Sequence, residues 1–154
     1  MREATCGVER MMKRGFSLLE MIIVIAILGI LLAIGIPNFR ASQANNELRL
    51  AAVQLSSDLK YARQAGVATG GSTVDFTSPP QGYARGYAIS NSSGQVLKRS
   101  GIPSSATWTL LANTITFSAN GVASAGGDIT LTSLRTGKTA TVSLTAATGM
   151  VKVR

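Results

Sequence analysis

The chain has 154 residues, a formal net charge of +8, no histidine and a single cysteine, a length that suits one modest domain plus an accessory segment better than two full domains. Ser-His-Asp and Cys-His nucleophiles and Cys/His zinc sites are ruled out for the bulk of the chain, because the only cysteine, Cys6, precedes everything else of interest. With no intrachain disulfide available, core packing and assembly must hold the fold.

In chain order, the first element is an apolar run from Phe16 to Ile36, which as a helix spans roughly 31 Å, close to the hydrocarbon thickness of a bilayer. Arg10, Lys13 and Arg14 precede it, so the positive-inside rule keeps that end in the cytoplasm and sends the C-terminal bulk across. A cleaved secretory signal fits less well: its apolar core runs about 7–15 residues, and Gly35-Ile36-Pro37 is a poor small-x-small site. Glu20 interrupts the pattern. A charge at mid-helix costs roughly 2.5–3.5 kcal/mol by insertion scales, and less near the interface, so a cationic partner is expected for it.

Lys13-Arg14-Gly15-Phe16-Ser17-Leu18-Leu19-Glu20, followed by unbroken aliphatic residues, resembles the prepilin peptidase site of type IV pilins and type II secretion pseudopilins. The resemblance implies cleavage between Gly15 and Phe16, N-methylation of Phe16, and an assembly role for Glu20. Residues i and i+4 share a helix face, so Glu20 is placed to neutralise the Phe16 amine of its own chain or of a neighbour in a filament. Residues 1–15 are then a leader, longer than is common in the family; Met11 or Met12 would start a shorter one. After the leader, eleven basic residues stand against five acidic ones, so the positive bias, +6, belongs to the body of the chain.

Pro37 removes a backbone donor and is expected to kink or open the helix; pilin-like proteins often carry a proline near this point. From 38 to 66 the pattern becomes amphipathic. Leu48, Ala52, Leu55, Leu59 and Ala62 form an apolar stripe at steps of three and four, and Arg49, Ser56, Lys60 and Arg63 are assigned to the opposite face. This stripe is expected to pack on a globular head, with Gly66 and Gly70-Gly71 ending the helix in a flexible link. One helix from Phe16 to Gly66 would extend roughly 76 Å, the stem of a lollipop.

Residues 67–154 form the expected head, with β-prone runs at 72–76, 82–90, 95–99, 114–118, 128–134, 139–145 and 150–154 separated by Gly, Pro and Asn clusters. They predict one antiparallel sheet or two small ones packed on the amphipathic stripe, an α+β fold, with Trp108 as a core or sheet-edge anchor. Leu134-Arg-Thr-Gly-Lys-Thr139 lacks the first glycine of a phosphate-binding loop, Thr132 standing in its place, and reads as a hairpin turn. Asp75 and Asp128 are too few for a calcium site, so no metal or cofactor is expected. Asn91-Ser-Ser is a formal glycosylation sequon of little weight.

The order of helix ending in ARQAG, then ITFSANG, then a hairpin, then VSLTAATGMVKVR resembles the GspH/FimT group of minor pilins and pseudopilins. It implies a long N-terminal helix carrying a β-sandwich-like head, and a non-catalytic subunit whose partners are the inner membrane, prepilin peptidase and other pilin or pseudopilin subunits. The expected organisation is leader 1–15, transmembrane and filament-core helix 16–37, amphipathic helix 38–66 and head 67–154, with Pro37 counted beside Glu20 as an assembly residue. Some members of the FimT branch carry a C-terminal Gly-Arg-x-Arg motif associated with DNA binding during transformation. Here the terminus reads Gly149-Met-Val-Lys152-Val-Arg154, a departure from that motif. Lys152 and Arg154, with Arg135 and Lys138, remain the alternative DNA contacts, against a solvated polar face; a simple anchored envelope protein that never polymerises is the third reading.

Overall fold

The computed structural model describes residues 16–154, except for the side chains of residues 34–38. The chain divides into two units, Met1–Asn38 and Phe39–Arg154.

Helix α1, Leu18–Thr69, opens both. In the second unit its buried arc is Leu48, Ala51, Ala52, Leu55, Leu59 and Ala62, which contains every member of the expected stripe. Ser56 is a correction: it is buried at 5% exposure, not on the outer face. The buried arc is wider than one row of threes and fours, and it takes in Asp58 as well, at 1% exposure.

The helix also runs past Gly66 to Thr69. A Cβ at Gly66 would lie 3.1 Å from the Phe117 carbonyl and from Ser72 Oγ, so this glycine permits close helix–sheet packing and does not terminate the helix. Gly70, at φ +83°, does that, in the left-handed conformation typical of a C-terminal cap. The expected flexible link is absent between these elements, because the first strand begins at Gly71.

Eight strands follow: β1 Gly71–Asp75, β2 Gly86–Asn91, β3 Val96–Gly101, β4 Ala106–Thr109, β5 Thr114–Ser118, β6 Gly127–Ser133, β7 Thr139–Thr145 and β8 Met150–Val153. They form two four-stranded sheets, ordered β3-β2-β1-β5 and β4-β6-β7-β8, all neighbours antiparallel. Strand β4 lies outside the expected runs. The 82–90 run shortens to Gly86–Asn91 because Tyr83 N–H turns back to the Pro80 carbonyl at 3.2 Å.

Inner faces of both sheets and the buried arc of α1 enclose one core, including Val74, Ile89, Ile115, Phe117, Ile129, Leu131 and Val142. Alternation does the sorting: β6 buries Ile129, Leu131 and Ser133 while Thr130 and Thr132 face outward. Trp108, on the edge strand β4, packs against this core. Its ring lies 5.5 Å from Phe76 in an edge-to-face pair and 6.3 Å from Tyr87, so the three aromatics join the two sheets.

Candidate functional site

Gly15, the expected cleavage residue, lies outside the described residues. Phe16 is 79% exposed, and Phe16 and Ser17 precede the first helical residue, Leu18. The Ser17 carbonyl closes the first turn by accepting from Met21 N–H at 3.2 Å. In this chain Phe16 stands ahead of the helix that carries Glu20. Glu20 sits in the first turn, where a carboxylate is favoured by the helix dipole.

Between Met21 and Ala33 the helix is apolar on every side. Ile22, Ile23, Val24, Ile25, Ile27, Leu28, Ile30, Leu31 and Leu32 are all exposed, and a helix apolar all round requires an apolar environment from lipid or from other helices. Among the described residues, no helix is long and apolar enough to cross a membrane. The expected span 16–36 includes residues whose side chains are not described, 34–36, which leaves a described helical apolar stretch of 18–33. Pro37 is likewise within α1, its side chain outside the described set.

In the head, the most developed polar constellation surrounds Asp58, which sequence reasoning did not single out. Lys98 Nζ donates to Oδ1 at 2.7 Å. Ser100 Oγ (2.6 Å), Tyr87 Oη (2.8 Å) and Gln54 Nε2 (3.1 Å) donate to Oδ2. Burial pushes the carboxyl up, but the four hydrogen bonds outweigh it and hold Asp58 below its ordinary value. Burial, together with the Asp58 charge, pushes the Tyr87 phenol far up. The group is a latch between α1 and the β2-β3 edge of one sheet, with no substrate-sized opening needed to explain it. The signal in the sequence was an acidic residue three positions from Leu55 and four from Ala62, inside the apolar stripe.

The basic residues considered for DNA fall into one region without forming a single cluster. Arg154 exchanges backbone hydrogen bonds with Thr141 at 2.8 and 3.1 Å, and Lys152 pairs with Ser143. Period-two geometry therefore puts both side chains on the outer face of their sheet. Arg135 and Lys138 occupy the β6–β7 turn, closed by Ser133 N–H to the Lys138 carbonyl at 2.8 Å. That turn is the hairpin expected at Leu134–Thr139. Asp128 shares the outer face, accepting from Ser143 Oγ at 2.6 Å.

A helix with an apolar, solvent-facing N-terminal part, whose later turns pack on two antiparallel sheets, defines a pilin-like α+β protein. Residues 51–148 match the type II transport protein GspH family, and residues 10–36 match the prokaryotic N-terminal methylation motif. The chain belongs to the GspH family of type IV pilin-like proteins.

Its relatives include the type IV narrow pilus major component PilA5 of Thermus thermophilus, 33% identical over 140 residues, covering 88% of this chain and 98% of that one. The type IV major pilin protein PilA of Myxococcus xanthus is 34% identical over 86 residues, 53% of this chain and 39% of the relative. The type IV minor pilin FimU of Pseudomonas aeruginosa superposes with a TM-score of 0.51 at 23% identity, over 71% of this chain and 90% of that one. At that identity the likeness is one of fold.

Proposed function

We propose that the chain is a non-catalytic minor subunit of a type IV pilus or type II secretion pseudopilus. Prepilin peptidase would cleave between Gly15 and Phe16, Phe16 would be N-methylated, and the subunit would wait in the inner membrane with its N-terminus cytoplasmic and its head periplasmic. Assembly then transfers the apolar part of α1 from lipid to neighbouring pilin helices. One observation carries this reading: the methylation motif sits directly on a helix whose exposed surface is apolar on all sides.

Cleavage would create a free Phe16 amine four residues before Glu20, a cation for this carboxylate to neutralise in its own chain or in a filament neighbour. Glu20→Val should therefore leave membrane insertion intact and reduce incorporation into filaments. Normal incorporation of the variant, measured by immunoblot of sheared filaments, would sink the assembly role. The match to GspH and the FimU-like head support a minor subunit, while the Thermus relative is a major component. Stoichiometry decides between them: quantitative mass spectrometry of filaments should find far fewer copies of this chain than of the shaft subunit.

A second reading, DNA capture in uptake, rests on the outward-facing pair Lys152 and Arg154 beside the turn bearing Arg135 and Lys138. Phosphate contacts make binding steeply salt-dependent. A mobility shift at low salt that disappears as salt rises, and in Lys152→Ala/Arg154→Ala, would support it; no shift at low salt ends it.

A further inference from the structure

A polar cleft of about 360 Å³ opens where the first turns of α1 in the second unit meet the sheet loops, lined by Arg40, Gln43, Ala44, Glu47, Ser105 and Arg135. Arg40, Ala44 and Glu47 are spaced by four and three residues and so fall on one helix face. The small, buried Ala44 leaves room between the two charged side chains.

The opposite wall is fixed by hydrogen bonds. Ser105 Oγ donates to Glu47 Oε2 at 2.6 Å, Thr136 Oγ1 donates to Asn45 Oδ1 at 2.8 Å, and Leu134 N–H donates to the Ser105 carbonyl at 2.8 Å. These contacts hold the β6–β7 turn, and with it Arg135, beside Glu47. Among the described residues the one ion pair is Lys98–Asp58, so neither Arg40 nor Arg135 is neutralised there.

Two guanidiniums next to one carboxylate suit a zwitterion: arginine forks match the oxygens of a phosphodiester, and Glu47 suits an ammonium. Position narrows the choice. Arg40 follows Ile36, the end of the apolar run, by four residues, which a chain spans in at most about 14 Å, so a headgroup at the bilayer surface is within reach.

We infer that this cleft binds the headgroup of an amine-bearing phospholipid, phosphatidylethanolamine, holding the head on the bilayer surface until the subunit is drawn into a filament. The inference rests on the membrane-anchored state proposed above. Arg40 and Arg135 take the phosphate, and Glu47 takes the amine while keeping its bond from Ser105.

The test uses the full chain in nanodiscs of equimolar phosphatidylethanolamine and phosphatidylglycerol, extracted into mild detergent and weighed by native mass spectrometry. The wild type should retain phosphatidylethanolamine over phosphatidylglycerol. Arg135→Ala and Arg40→Ala should each lower retention about fivefold, the effect of one arginine near a lipid surface. Glu47→Gln should abolish the preference and leave total retention unchanged.

Retention unaffected by Arg135→Ala, or a preference surviving Glu47→Gln, overturns the inference. Displacement of the lipid by inorganic phosphate as readily as by glycerophosphoethanolamine would make the cleft a free-anion site and also overturn it. So would unchanged retention combined with impaired filament incorporation of Arg135→Ala, the signature of a subunit interface. A chain that fails to enter the nanodisc sinks the membrane reading and this inference together, whereas entry with retention independent of Arg135 sinks this inference alone.

Discussion

Replacing Asp58 by alanine removes a carboxylate that is 1% exposed and accepts from four side chains. The cost is concentrated on the partners left behind. Tyr87 and Ser100 are buried, and a buried donor deprived of its acceptor costs roughly 1–3 kcal/mol. Lys98 is 42% exposed at its side chain and can rehydrate, so its share is that of a surface pair, about 0–1 kcal/mol. Taking the lower end for each hydroxyl, and adding modest shares for Lys98 and Gln54, Asp58→Ala should destabilise the head by about 3 kcal/mol, or about 12 °C in Tm for a domain of this size.

The assay is thermal unfolding of the full chain in detergent, followed by the near-ultraviolet dichroism of Trp108, whose ring lies 6.3 Å from that of Tyr87. Acidity gives an independent check. Because the folded-state pKa of Asp58 is depressed below 3.8, its contribution is complete above that value and is lost as pH falls through the lower folded value. Asp58→Asn should flatten this part of the acid limb. A loss below 1 kcal/mol in Asp58→Ala, with the wild-type acid limb retained in Asp58→Asn, would refute the latch.

Three further outcomes follow from the same geometry. Gly149 has φ +59°, and a Cβ there would collide with the Gly121 carbonyl, so Gly149→Ala, which at a compatible site would stabilise by about 0.4–1 kcal/mol, should here destabilise by more than ~1 kcal/mol, read as a lower denaturation midpoint. Phe76→Ala removes the ring that touches both Tyr87 and Trp108, and should cost about 3–5 kcal/mol while shifting Trp108 fluorescence to the red. Tyr87→Phe keeps the ring and loses only the hydroxyl bond to Asp58; calorimetry should show about 1–2 kcal/mol, and that loss should vanish in an Asp58→Ala background.

The helix and most strands were legible because burial follows periodicity. Leu48, Ala52, Leu55, Leu59 and Ala62 are all in the core, and seven of the strands overlap the expected β-prone runs. Strand β4 was missed because only Ala106 and Trp108 face inward along its four residues, too short a run for alternation to be diagnostic. Gly66 misled because a glycine that admits a neighbouring backbone looks, in sequence, like one that ends a helix.

The processing motif was readable residue by residue because it is contiguous: Gly15, Phe16 and Glu20 lie within six positions. The Asp58 latch and the Arg40–Glu47–Arg135 cleft were not. Their members come from positions up to 95 residues apart, and only the register of the sheets and the turns of α1 bring them together. Burial of Asp58 is a tertiary property, and local polarity alone assigns such a residue to solvent.

Intact mass spectrometry of the protein from cells with and without a prepilin peptidase decides whether this chain is a processed, assembling pilin-like subunit. A chain beginning at N-methylated Phe16 is expected only where the peptidase is present. The same unprocessed mass in both strains would overturn that reading.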